Sequence, residues 1–228
     1  MSDILSSRLL VPESLQETVY RLEEARLGFR KSSDSEVKEA LDWVLGRQGL
    51  RGSYRNLFAP TEKDMSEGLQ RLTGEQYRRR GALTRHVLGE ESLRAVILWN
   101  RESHPSAAKA LEGFREMMDS HQDGFYCCYN CTPAFLRTLS VVNFGKSDEI
   151  LDRGIGHIKR KRTPDGKWRG FPFYYTLLTL SGVDTSSAKA ELKHGGKAAQ
   201  KLIKRYEGGV DRTSRFKTIG LEAAVNAL

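Results

Sequence analysis

An all-α protein built from helical hairpins is what this sequence predicts, on three observations. Leucine is abundant, 27 residues against 11 valines and 7 isoleucines, and the β-branched residues lose side-chain freedom in a helix that leucine keeps. Clear apolar alternation over five or more residues is absent, whereas several windows repeat apolar residues at helical spacing. Those amphipathic windows alternate with windows that are apolar on nearly all sides, the pattern of inner helices wrapped by outer ones.

Along the chain, Leu15, Val19, Leu22 and Leu27 mark a first amphipathic helix, and Val37, Leu41, Val44 and Leu45 a second. A repeat around Leu83 to Asn100 is diverged or shortened. Thr132-Pro133 opens a helix, as proline does in a first turn, and Ala134 to Val142 is apolar nearly all round. Ser147, followed by Asp148 and Glu149, reads as an N-cap with acids in the first turn, ahead of a stripe of Ile150, Leu151, Ile155 and Ile158. Phe171 to Leu180 forms a second enclosed helix, stopped by Ser181-Gly182.

Gly52-Ser53-Tyr54, Gly124-Phe125-Tyr126 and Gly166-Lys167-Trp168 each follow an amphipathic helix and precede an apolar one. Gly124 and Gly166 are 42 residues apart, and 42 more lead to Gly208 in the Tyr206-Glu207-Gly208-Gly209 turn. A period of that size suits a helical hairpin. Glycine takes the backbone through positive φ and the following aromatic buries a large surface, so Tyr54, Tyr126 and Trp168 read as packing residues. Four or five hairpins in one domain, residues 1–228, are expected.

At Asp165-Gly166-Lys167-Trp168 and the following Phe171-Pro172-Phe173-Tyr174-Tyr175-Thr176-Leu177-Leu178-Thr179-Leu180-Ser181-Gly182, the sequence resembles the repeats of the protein prenyltransferase β-subunit and terpenoid cyclase superfamily. His121-Gln122-Asp123-Gly124-Phe125-Tyr126 is similar to a second copy, and residues 47–54 to a third without the acid. The resemblance is clearest over residues 114–206. It implies an α/α toroid whose inner helices enclose a cavity lined with aromatic and apolar side chains. At 228 residues the toroid is expected to be small or incomplete, an open ring closed by residues 1–30 or by a partner subunit.

For function, the resemblance implies a protein that binds, and as a prenyltransferase-like enzyme would transform, an apolar, isoprenoid-like small molecule. Phe135, Phe173, Tyr174 and Tyr175 would line the cavity, and Lys167 and Arg169 would hold a diphosphate, arginine through paired donors and lysine as a point charge. The Asp-x-Asp-Asp acid of the protonating cyclases is absent. The prenyltransferase zinc set of aspartate, cysteine and a later histidine falls on Asp123, Cys131 and Tyr175, with tyrosine in the histidine's place and the first two further apart than in the family. The spacing of Cys128 and Cys131 itself lets two thiolates meet one zinc, with His121 or His157 as further ligands. The alternatives for the same pair are a redox dithiol and soft core residues.

Lysine and arginine number 37 against 29 aspartates and glutamates, a net charge of +8. Cations cluster in His157-Ile158-Lys159-Arg160-Lys161-Arg162 with Lys167 and Arg169, in Arg78-Arg79-Arg80 with Arg85, and in Lys201, Lys204 and Arg205. A solvated helix end explains the first cluster, where cations complement the dipole. The functional alternative is a non-enzymatic helical-repeat scaffold that binds a protein or nucleic acid through a basic face. No zinc finger, glycine-rich phosphate loop or nucleophile elbow supports another enzyme class. Cys127, Cys128 and Cys131 lie within five residues, so reduced thiols are expected rather than a secreted disulfide framework. No window approaches the roughly 18 apolar residues of a membrane span, and Met1 to Leu10 lacks the marks of a signal peptide. A cytoplasmic setting is the expectation.

Overall fold

Helix starts leave backbone N–H groups open, and side chains close several of them. Ser14, Ser33, Thr61, Thr185 and Asp211 each accept from an amide one turn into the helix that they begin. The computed structural model describes residues 8–77 and 81–228, and among them the fold is all-α, with strand-like pairing confined to isolated bridges. No described helix is long and apolar enough to cross a membrane. The chain divides into two compact units, Met1–Leu69 with Arg79–Phe114, and Gln70–Arg78 with Arg115–Leu228.

In unit 1, α1 (Leu15–Arg26) and α2 (Asp34–Leu45) follow the apolar stripes that predict them, and both pack against α4 (Ala82–Leu98). The short α3 (Glu62–Glu67) supplies Asp64, a buried carboxylate that accepts from Ser14 Oγ at 2.7 Å, Leu15 N at 2.9 Å and Thr61 N at 2.9 Å. One side chain thus caps α1 and α3 together. Helix α4 is buried at Thr84 and from His86 through Val96, although it carries His86, Glu90, Glu91 and Arg94. Arg94 Nη1 meets Glu23 Oε1 of α1 at 3.0 Å. Burial raises the Glu90 carboxyl to about 7, opposed by His86 and reinforced by Glu91. The first part of α5 (Pro105–Ser120) completes this unit.

Unit 2 contains the rest of α5, then α6 (Thr132–Leu139), α7 (Ser147–Lys159), α8 (Phe173–Ser181), α9 (Ser186–Leu202) and α10 (Arg212–Asn226). Helix α8 packs on both α6 and α10, while α7 and α9 pack on each other and on α6 and α8 respectively. Helix α10 packs on both α8 and α9. The outlying segment Gln70–Arg78 joins it through Glu75, whose carboxylate accepts from Tyr175 N at 2.8 Å and Tyr174 N at 3.2 Å, capping α8.

Three helix ends differ from the sequence expectation. Helix α6 stops at Leu139 rather than Val142, because Val141 N donates to Thr138 O and tightens the last turn. Helix α8 starts at Phe173, since Pro172 keeps Phe171 out of the helical region and itself stands at the N-cap with ψ 117°. Ser147 is the first residue of α7 and Lys146 its N-cap; the Ser147 hydroxyl instead accepts from Phe144 N at 3.2 Å.

The repeat glycines Gly52, Gly124, Gly166 and Gly208 all have positive φ. Two of them also fill a packing role. A Cβ on Gly124 would lie 2.4 Å from both Gly154 N and Ile150 O of α7, and one on Gly166 would lie 3.1 Å from His194 O of α9. The first turn therefore rests on the backbone of α7 and the second on that of α9.

Gly124→Ala is expected to lower stability by about 3 kcal/mol or more, since it adds a backbone clash to left-handed strain. Gly208→Ala, with nothing within 4 Å of its Cβ, should cost only about 1 kcal/mol. Urea midpoints of the two variants check the difference. A second expectation concerns pH. Folded Glu90 keeps its proton to about pH 7 while the unfolded chain releases it near 4.5, so the folded state binds more protons in that window and stability falls as pH rises through it. Glu90→Gln should remove this slope and, at pH 8, exceed the wild type by on the order of 2–3 kcal/mol, read from denaturation at pH 5 and pH 8.

Candidate functional site: a basic face and a dithiol

Helix α9 turns Ala188, Glu191, Leu192, Gly195, Gly196, Ala198 and Ala199 inward. That leaves Lys189, Lys193, Lys197 and Lys201 exposed at four-residue spacing, a rise of about 6 Å per step, with Lys204 and Arg205 exposed beyond them. Lys189 is paired with Asp184 at 2.6 Å. Among the described residues no acid pairs with Lys193, Lys197 or Lys201.

The turn between α7 and α8 lies against this helix. Arg162 and Trp168 form an antiparallel bridge, and both reach the buried Glu191 carboxylate: Arg162 Nη2 at 2.8 Å, Arg162 Nε at 3.0 Å and Trp168 Nε1 at 2.9 Å. His194 Nε2 lies 3.2 Å from Lys167 O. The Arg162 charge is consequently paired, from the surface, with a buried carboxylate, and Lys167 Nζ is 3.4 Å from Asp165 Oδ2. Lys159, Arg160 and Arg169 remain exposed. Burial, then Arg160, pushes the His157 ring below its ordinary pKa against the pull of Asp123.

Of the six residues predicted to hold an apolar ligand, Lys167, Phe173 and Tyr174 share one environment, while Phe135, Tyr175 and Arg169 have neighbours of their own. Phe135 on α6 is buried and stacked on Tyr126 at 5.3 Å. Phe173 is stacked on Trp168 at 6.0 Å, with Lys167 Nζ 5.9 Å from its ring. Tyr175 is 1% exposed and faces the Arg71 guanidinium at 5.7 Å. Tyr174 is half-buried; its hydroxyl lies 3.2 Å from that of Tyr206, and Lys217 sits over both rings. Arg169 is exposed, held through its backbone N–H to Lys161 O at 2.8 Å. The structure thus brings Lys167, Phe173 and Tyr174 together, the two rings meeting edge to face at 5.3 Å. Of the three repeat aromatics, Tyr126 and Trp168 are buried and Tyr54 is half-buried.

The cysteines occupy the turn before α6. Cys127 adopts φ 57°, in the left-handed region, and Cys128 N donates to Tyr126 O across this three-residue turn. Cys128 Sγ and Cys131 Sγ are 3.3 Å apart as thiols, with Cys128 half-buried and Cys131 fully buried. Burial pushes the Cys128 thiol up, but hydrogen bonds from the Cys131 side chain, the Asn130 and Cys131 amides and Cys127 together bring it below its ordinary value. Arg71 Nη2 reaches Asn130 Oδ1 at 3.0 Å and Asn130 O at 3.3 Å, fixing the loop between the thiols. The histidines considered as zinc ligands are engaged elsewhere: His121 Nδ1 lies 2.8 Å from Met117 O, and His157 Nε2 lies 3.4 Å from Asp123 Oδ2. Neither forms a three-ligand group with Cys128 and Cys131 among the described residues.

The described surface also carries open hollows. One of about 590 Å³ in unit 1 is lined by Arg51, Thr61, Glu62, Met65 and Arg85, and one of about 500 Å³ between α9 and α10 by Lys189, Leu192, Lys193 and Asn226. No predicted ligand residue lines either. Arg78–Arg80 of the predicted clusters lie outside the described residues. Sequence reading missed Lys189, Lys193 and Lys197, although the four-residue period that reveals apolar stripes reveals a lysine stripe equally well. Comparison of the chain with family models, curated proteins and solved structures finds no match.

Proposed function

We propose that unit 2 is a non-enzymatic helical-repeat module that binds the phosphate backbone of nucleic acid along the lysine row of α9, assisted by Lys159, Arg160 and Arg169. The observation that carries this reading is the unpaired, exposed series Lys193, Lys197 and Lys201 on a helix whose other side is fully used in packing. Lysines act on phosphates as point charges and release condensed counterions, which favours sequence-independent association. The net charge of +8 adds long-range attraction of the same sign. Buried Tyr126, Phe135, Trp168 and Tyr175 are withdrawn from base stacking, so the reading involves backbone contacts and no base readout.

The packing of α6, α7, α8 and α9 on one another is what supports the finer architecture, a small or incomplete α/α toroid of the prenyltransferase and cyclase kind. One observation favours the ligand reading that goes with it, the meeting of Lys167 with Phe173. On that reading farnesyl diphosphate binds saturably by calorimetry and Lys167→Glu weakens it about tenfold, the loss of one charged contact. Heat signals that do not saturate would end it.

For the nucleic-acid reading, fluorescence anisotropy with a 20-mer duplex of mixed sequence is the measurement. Affinity is expected to fall steeply with salt and to vary little with sequence. Replacing Lys193, Lys197 and Lys201 with glutamate should reduce the slope of log K against log salt by about 0.9 per lost phosphate contact, about 3 in all. An unchanged slope in the triple variant would sink the assignment of α9, and failure to bind duplex or single strand at low salt would remove nucleic acid as the partner.

A further inference from the structure

We infer that Cys128 and Cys131 are a thiol–disulfide exchange pair, with Cys128 the attacking sulfur and Cys131 the resolving one. The inference is independent of the binding face. It rests on four features of one turn: two thiols separated by 3.3 Å, the unequal access of a half-buried Cys128 and a Cys131 that is 0% exposed, the placement of both at the start of α6, and an arginine locking the residue between them. The Arg71 contacts to both Asn130 oxygens hold the two-residue spacer in place. Thr132 Oγ1 donates to Cys128 O at 3.0 Å, and Cys131 N to the same carbonyl at 3.0 Å. A fixed spacer keeps the sulfurs within a short closing movement of the roughly 2.05 Å of a disulfide.

The substrate class is a disulfide, either of a protein or of a small molecule. The Cys128 thiolate, having given its proton to solvent, attacks one sulfur of the substrate; the substrate S–S bond breaks and the departing thiolate takes up a proton. Cys131 then loses its proton and its sulfur attacks Cys128 Sγ, breaking the mixed disulfide and releasing the second substrate thiolate, which is protonated in turn. The substrate is reduced to two thiols and the pair is oxidised to a disulfide. Two molecules of a low-molecular-weight thiol restore the dithiol and leave as their own disulfide. Direct attack by Cys131 on the substrate disulfide is prevented by its burial, which fixes the order of the two steps.

The test counts thiols on the intact full-length protein. After equilibration in glutathione buffers running from reduced to oxidised and quenching with iodoacetamide, the wild type is expected to pass from three alkylated cysteines to one in a single transition. A Cys127→Ser variant, holding only two thiols, should pass from two to none. Cys131→Ala should instead accumulate a glutathione adduct on Cys128, located by fragmentation, and Cys128→Ser should form neither adduct nor internal disulfide. Reduction of insulin by the wild type in the presence of dithiothreitol should be at least tenfold faster than by Cys128→Ser. Because the wild-type thiol count needs no substitution, a variant that fails to fold does not spoil the test. Three alkylatable thiols at every buffer ratio would overturn the inference, as would an adduct on Cys127 alone in Cys131→Ala. Stoichiometric zinc, titrated into the reduced protein, that both Cys128 and Cys131 are needed to hold and that blocks oxidation would overturn it too.

Discussion

The basic end of unit 2 depends on one buried carboxylate. Glu191 lies inside the fold and receives three hydrogen bonds, two from Arg162 and one from the Trp168 indole. An isolated carboxylate there would be strongly disfavoured, and a partner removed from such a pair leaves an uncompensated charge. The turn is therefore obliged to close over α9. Trp168 can descend that far because position 195 is glycine; a Cβ there would lie 3.1 Å from the indole. With Glu191 and Gly195 facing the turn, helical geometry sends residues 189, 193, 197 and 201 the other way. The exposed lysine row is thus a consequence of how the inner side of α9 is used.

The preceding repeat solves the same closure without a buried carboxylate. Gly124 rests directly on Gly154, and Tyr126 stacks on Phe135 at an interplanar angle of 22°. Its histidine and aspartate, His157 and Asp123, meet at 3.4 Å near the surface. One turn is fastened by apolar contact and tight backbone approach, the next by hydrogen bonds to a buried carboxylate. The apolar version leaves its turn available for the cysteines, whose sulfurs would be poorly placed beside a carboxylate of the Glu191 kind, since negative charge opposes thiolate formation.

Local signals made much of the fold legible. The stripes of α1, α2 and α7 came from single-period arguments, and the positive φ at the repeat glycines followed from residue type. Helix α4 was harder to see: His86, Glu90, Glu91 and Arg94 interrupt its apolar pattern, and only tertiary pairing such as Arg94 with Glu23 makes their burial tolerable. The cysteine spacing was visible, but not the inequality between a half-buried and a buried thiol, which the turn at Cys127 creates. Among the candidate aromatics, sequence could group Phe135 with Phe173 and Tyr175 by hydropathy alone. Their separate neighbours, Tyr126, Trp168 and Arg71, depend on contacts between distant segments.

Glu75 caps α8 from 99 and 100 residues upstream of the amides it accepts from. A ribosome adding about 5–20 residues per second presents this carboxylate some 5–20 seconds before its partners exist. Until then it is a hydrated surface group on a segment with no helix to cap, and α8 emerges with its first turn already provided for. Unit 2 therefore has no contiguous coding segment: a fragment beginning at Arg115 would carry α6 to α10 and lack the group that starts the helix between α6 and α10.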